Sequence, residues 1–111
     1  MPDLDPEDEK IIVLARSTRA RIQAEEGAAV RDTDGRTYAA ATVDLPSFKL
    51  TALQAAVAAA VSSGAEGLEA AAVVTNQVMV KGASVQAVHD LTPSAPILRA
   101  DPSGAVQEIL R

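Results

Sequence analysis

Two stretches of the chain carry apolar residues at helical spacing, and the other hydrophobic residues gather into short runs bounded by turn residues. From Pro46 to Ser63 the larger apolar side chains are Leu50, Leu53, Val57 and Val61, the three-four spacing of one helical face, with alanines at most positions between them. Thr51 and Gln54 form a T-x-x-Q start, in which the hydroxyl takes an orphan amide of the first turn and the glutamine reaches back. Gly64 provides the stop. The pattern predicts a helix that buries its Leu50, Leu53, Val57 and Val61 face and, being apolar almost all round, sits in a packed interior or against a partner. A second helix is predicted from about Pro6 to Ala24, with Ile11, Ala15, Thr18 and Ile22 on one face. Asp5 is placed to cap it, Pro6 holds the first helical position, and Glu7, Asp8 and Glu9 meet the positive end of the dipole. Gly27 is expected to end it. Arg16, Arg19 and Arg21 read as a solvated face pairing with Glu25 and Glu26.

The short runs predict strands. Ala28 to Arg31 and Arg36 to Val43 flank Asp32-Thr33-Asp34-Gly35, whose turn chemistry predicts a hairpin. The same residues do not open a calcium loop, because the places that need glycine and glutamate hold Thr37 and Val43. Leu68 to Val74 is apolar enough for a central strand covered on both faces, and its arrival through a helix predicts a parallel neighbour of the first strand by a right-handed crossover. Thr75, Asn76 and Gln77 follow its carboxyl end, where open α/β sheets bind ligands. Ser84 to Leu91 predict a third helix closed by Pro93 and Pro96. Ile97 to Arg99 and Val106 to Leu110 flank Asp101-Pro102-Ser103-Gly104, a turn short enough to demand a hairpin.

Composition narrows the function classes. A chain of 111 residues is expected to be one domain, residues 1–111. With 48% hydrophobic residues but only Tyr38 and Phe48 as aromatics, its core must be Ala, Val, Leu and Ile in closely spaced layers. A formal charge of −5 argues against a nucleic-acid surface, which needs Lys and Arg to neutralise phosphates. There is no cysteine, so no disulfide framework, and no apolar run long enough to span a bilayer. Met1 to Lys10 is acidic and lacks a signal-peptide pattern, which predicts a cytoplasmic protein.

Four blocks in order carry a resemblance: Gly27-Ala28-Ala29-Val30, Asp34-Gly35-Arg36, Thr42-Val43-Asp44, and Ser47-Phe48-Lys49-Leu50-Thr51-Ala52-Leu53-Gln54-Ala55. Their sequence and spacing resemble the cytidine deaminases, which have G-A-A-V, a D-G turn, N-V-E and S-Y-G-L-T-x-C-A-E. The resemblance covers about Gly27 to Leu110 and implies a three-layer α/β/α cytidine deaminase-like fold: a mixed five-stranded sheet with an antiparallel C-terminal hairpin. The chain stops where the family adds a last helix that helps close its pocket. The resemblance also places the family's first zinc ligand at Leu53 and its proton-shuttling glutamate at Ala55. The second ligand pair falls in Lys81 to Gln86, with Ala83 and Gln86 as its vestiges. Zinc deamination needs thiolate or imidazole ligands to hold the metal and a glutamate to move protons. None of these four residues provides either, so no cofactor and no deaminase activity are expected.

Three functions remain open. The first is a non-catalytic deaminase-fold protein acting through protein contacts or as a structural or regulatory subunit. It would be a homo-oligomer, because the alanines of Ala55 to Val61 leave one helix face no reason to be wet. The second is a nucleoside or nucleotide binder using Thr42, Asp44, Phe48 and Asn76, although Thr42 lacks the family's amide and Asp44 is a methylene shorter than its glutamate. The third, less favoured, is an enzyme of other chemistry on Asp44, His89 or Asp90, which requires those groups to converge. The former active site is expected to be packed shut, with Leu53 and Ala55 continuing the core.

Overall fold

A computed structural model describes residues 4–111, so the first three positions of the acidic stretch from Met1 to Lys10 lie outside the described residues. Helix α1 (Pro6–Ile22) begins where its cap dictates, with the Glu7 N–H donating to Asp5 Oδ1 at 2.8 Å. It stops short of Ala24, at Gln23 in the left-handed conformation. Gly27 is therefore not its terminator but the first residue of strand β1 (Gly27–Asp32). The need for glycine there is close approach: a Cβ at Gly27 would strike the Ala15 carbonyl and lie 2.7 Å from Arg19 Cβ. Ile11, Ile12, Ala15 and Thr18 are buried beneath α1, whereas Ile22 is 55% exposed. Ile22 shares their side of the helix but stands in its final turn, outside the apolar cluster that covers Ile11 and Ala15.

The chain continues through β2 (Thr37–Ala41), β3 (Val43–Leu45), β4 (Phe48–Leu50), α2 (Ala52–Ser62), β5 (Leu68–Val74), α3 (Gly82–Leu91), β6 (Ile97–Ala100) and β7 (Val106–Leu110). The main sheet has five strands in the order β2-β1-β5-β6-β7. It is mixed, with β5 and β6 parallel and the β6–β7 hairpin antiparallel, as the fold class expected. The expected parallel pairing of β5 with the first strand is wrong: they are antiparallel, with Ala29 opposite Ala72. The β1–β2 hairpin reverses the chain before α2 begins, so the crossover carries on the direction of β2 and sets β5 against β1. The strand expected to reach Val43 also ends early. Residues 43–50 fold into a separate two-stranded ribbon, with Val43 opposite Leu50, Asp44 opposite Lys49 and Leu45 opposite Phe48. Pro46 and Ser47 make its turn.

Two apolar layers flank the sheet. On one side Ile11, Ile12 and Ala15 of α1 pack with Ala29, Ala72, Val74 and Leu98. On the other, Leu53, Ala56, Val57 and Ala60 of α2 and Val88 of α3 pack with Ala28, Val30, Val73 and Ile97. Val61 does not belong to the buried face and is 51% exposed. It lies roughly 80° round the helix from Leu53, outside the sector that faces the sheet. Among the described residues no helix is long and apolar enough to cross a membrane.

Candidate functional site

The N-terminal ends of α2 and α3 meet beside the β3–β4 ribbon and enclose an open cleft of about 350 Å³. Thr42 and Asp44 line it from the strand side, Thr51 and Gln54 from α2, Lys81 from α3, and Glu25 from the segment before β1. The α2 end is fixed by a complete capping box: the Gln54 N–H donates to Thr51 Oγ1 at 3.1 Å and the Thr51 N–H to Gln54 Oε1 at 2.9 Å. Ser84 ties the two helices together by donating to Thr51 Oγ1 at 2.7 Å, and is itself buried. Thr42 is equally held, its Oγ1 accepting from the Glu26 N–H at 3.0 Å and its N–H donating to Glu26 O at 3.2 Å.

The cleft is charged. Lys81 Nζ donates to Glu25 Oε1 at 3.0 Å and lies 3.9 Å from Glu26 Oε1. The Glu25 hydrogen bond raises the lysine above its ordinary value, against partial burial that works the other way, and the Glu26 charge adds to the rise. Lys81 is therefore a protonated cation at neutral pH and not a nucleophile. Across the cleft Lys49 and Asp44 form an exposed pair at 3.3 Å. Glu26 is 1% exposed, and no group among the described residues hydrogen-bonds its Oε1.

Of the expected ligand contacts, Thr42 and Asp44 line this cleft, while Phe48 and Asn76 do not. Phe48 is 56% exposed on the ribbon. Asn76 stands on an exposed loop between buried Thr75 and Gln77, whose carbonyl accepts from Arg99 at 3.2 Å. Asp44, His89 and Asp90 do not converge: Asp44 is at the cleft, whereas His89 is in the last turn of α3 with Nε2 3.3 Å from Ala95 O. The expectation of a site packed shut is half corrected. Leu53 is fully buried in the core, but Ala55 is only half-buried and the space beside the helix ends remains open. The core reaches the first residue of α2, Ala52, and gives way at the half-buried cap residues Thr51 and Gln54.

The donor set does not fit the metal that the resemblance implies. Leu53 offers hydrocarbon, and Ala55 a methyl group. Ala83 and Gln86 are exposed on α3, where the buried residue between them is Ser84. Among the described residues, no three His, Cys, Asp or Glu side chains are grouped to hold a metal ion. The expectations missed Ser84, Glu26 and Lys81 as the polar groups assembled at this end. The one available signal was Glu25-Glu26 directly before an apolar strand, a charge placed where the chain turns inward.

The model for the family described as cytidine deaminase-like matches residues 4–104. Among solved structures, cytidine deaminase from Burkholderia pseudomallei is similar at a TM-score of 0.79 and 22% identity, covering 91% of this chain and 89% of that one. Cytidine deaminase from Mycobacterium tuberculosis has a TM-score of 0.71 and 25% identity, covering 96% of this chain and 91% of that one. The Mycobacterium leprae enzyme has a TM-score of 0.71 and 22% identity, with 93% of each chain covered. No protein of curated function matches the sequence.

Proposed function

Because the chain belongs to the cytidine deaminase-like family, we propose that it uses the fold as a non-catalytic, cytoplasmic subunit working through protein contacts in a homo-oligomer. The observation that carries the loss of catalysis is Leu53, a fully buried hydrocarbon where the family resemblance puts a zinc ligand. Protein contacts are favoured by what the fold leaves outside: Leu45 and Phe48, opposite one another on the ribbon, are 54% and 56% exposed, and Val61 of α2 is 51% exposed beside exposed Ala58. Light scattering coupled to size exclusion tests the assembly. An oligomer that falls to monomer in Ala58→Glu or Phe48→Ser is expected, and a monomeric parent at tens of micromolar would overturn it. Incubation with cytidine is expected to yield no uridine.

A nucleoside-binding role is the second reading, favoured by one observation: Thr42 and Asp44, which resemble the family's ribose-holding positions, line an open cleft. Titration of cytidine and uridine into labelled protein separates the two readings. Saturable shifts at Thr42 and Asp44 would favour the binder, and unchanged spectra the subunit.

A further inference from the structure

The main sheet has two outer strands, and they are protected differently. β7 carries Glu108, paired with Arg99 at 3.2 Å, and its register against β6 shifts between Arg99 and Ala100, two features that keep an outer strand from recruiting another. β2 has neither: Thr37-Tyr38-Ala39-Ala40-Ala41 holds no charge and no proline, and it pairs with β1 without a shift. The Asp32 N–H donates to Arg36 O at 2.8 Å and the Thr42 N–H to Glu26 O at 3.2 Å. Antiparallel alternation therefore turns the even-numbered residues of β2 toward β1 and leaves the N–H and C=O of Thr37, Ala39 and Ala41 pointing away from the sheet. Thr37 and Ala39 are exposed, whereas Ala41 is buried.

Apolar surface flanks this open edge on both faces. On one face a groove of about 490 Å³ runs between α1 and the start of β2, where Leu14 and the 62% exposed Val13 stand beside Thr37. On the other, α2 packs over β1 and β2 and is bordered by α3 on the side of β5. Its half-buried Ala55 and Ala59 belong to the α3 flank, and the exposed Ala58 and Val61 to the flank above the open edge.

We propose that the occupant of this edge is a second copy of the chain, the two β2 strands pairing antiparallel into one continuous sheet. This rests on the homo-oligomer reading and names its interface. Two chains of charge −5 repel unless the faces that meet are neutral, and this one is: the strand is uncharged, and beside it Glu7 and Glu9 are balanced by Lys10 and Arg36. Since Thr37 and Ala39 are the accessible outward residues, the two-fold axis falls at Tyr38, with Thr37 opposite the partner's Ala39 and the reverse. Each such pair exchanges both of its N–H···O bonds, and the two Tyr38 side chains are neighbours across the axis. Strands about 4.8 Å apart then set the two α2 axes about 10 Å apart, a packing distance for helices, which Ala58 is small enough to allow.

Light scattering coupled to size exclusion tests the pairing. Ala39→Pro removes an outward N–H that β1 does not use, and it should raise the dissociation constant of the oligomer by about tenfold or more. Ala39→Lys, which sets like charges beside the axis, should act in the same direction and decides if the proline variant does not fold. Single cysteines test the register, because the chain has none of its own. Under mild oxidation Tyr38→Cys should form a disulfide-linked dimer, its Cα atoms being about 4.5 Å apart, and Ala40→Cys, four strand residues from its own copy, should not. A parent oligomer left intact by both Ala39 variants, or a cross-link in Ala40→Cys and none in Tyr38→Cys, overturns the edge and leaves the subunit reading standing; a monomeric parent overturns both.

Discussion

Strand β1 has a buried carboxylate at its end and another just before its beginning, and the two are treated in opposite ways. Asp32 is 2% exposed and fully served: its Oδ1 accepts from the N–H groups of Asp34 and Arg36, both at 2.9 Å, and its Oδ2 from the Tyr38 hydroxyl at 2.8 Å. Glu26 is 1% exposed, and its Oε1 receives no hydrogen bond from the described residues. The Asp32 end closes a turn in which Gly35 takes a positive φ of 84° and the Asp32 carboxylate holds the hairpin. At the other end Glu25, the neighbour of Glu26, lines the cleft. Two carboxylates equally buried are thus satisfied differently, one by three hydrogen bonds and the other by the Lys81 ammonium 3.9 Å away.

The largest effect is expected in the core behind the start of α2. Leu53→Ala should destabilise by about 3 kcal/mol in chemical denaturation, because the side chain is fully buried where the core ends. A loss below about 1 kcal/mol would mean that the core around Leu53 is not closely packed. Leu53→Cys with Ala55→Glu should lose about 2 kcal/mol, nearly all from Leu53, since Ala55 is only half-buried, and should gain no deaminase activity. Thr51→Ala should cost about 1 kcal/mol by removing the α2 cap and the partner of Ser84.

The turn end is sharpened by acid. Burial pushes the Asp32 carboxyl up, but the Tyr38 hydroxyl and the two backbone N–H groups outweigh it and hold the group below the usual carboxylate range. A depressed folded value means that its stabilisation is complete above the unfolded value and is lost as pH falls through the folded one. The melting difference between the parent and Asp32→Asn should therefore be largest near neutrality and shrink as the pH drops below about 4. A difference independent of pH would remove the charged turn from the account. The smallest effect belongs to Lys49→Ala, about 0.3 kcal/mol, because its pair with Asp44 is solvent-exposed.

Much of the scaffold was legible because its signals are local. Asp5-Pro6, Thr51 with Gln54, and the turn from Asp101 to Gly104 each specify a cap or reversal within a few residues, and the structure places α1, α2 and the β6–β7 hairpin there. What was not legible depends on partners distant in sequence. Gly27 reads as a helix stop until β1 is seen to pass under Ala15 and Arg19. The direction of β5 against β1 depends on which strand the crossover leaves, and periodicity carries no record of that. Val61 and Ile22 follow the helical spacing, but the sheet does not reach them. At the cleft, Thr42 and Asp44 could be named from the strand-end motif, whereas Glu26 and Lys81 are 55 residues apart and meet only in the fold.

A cytidine deaminase-like fold here surrounds a buried leucine, Leu53, with no metal-binding chemistry. Elemental analysis of protein expressed with added zinc and passed through size exclusion tests it most directly. The account predicts zinc far below one atom per chain and indistinguishable from Leu53→Ala; one zinc per chain that survives the column would contradict it.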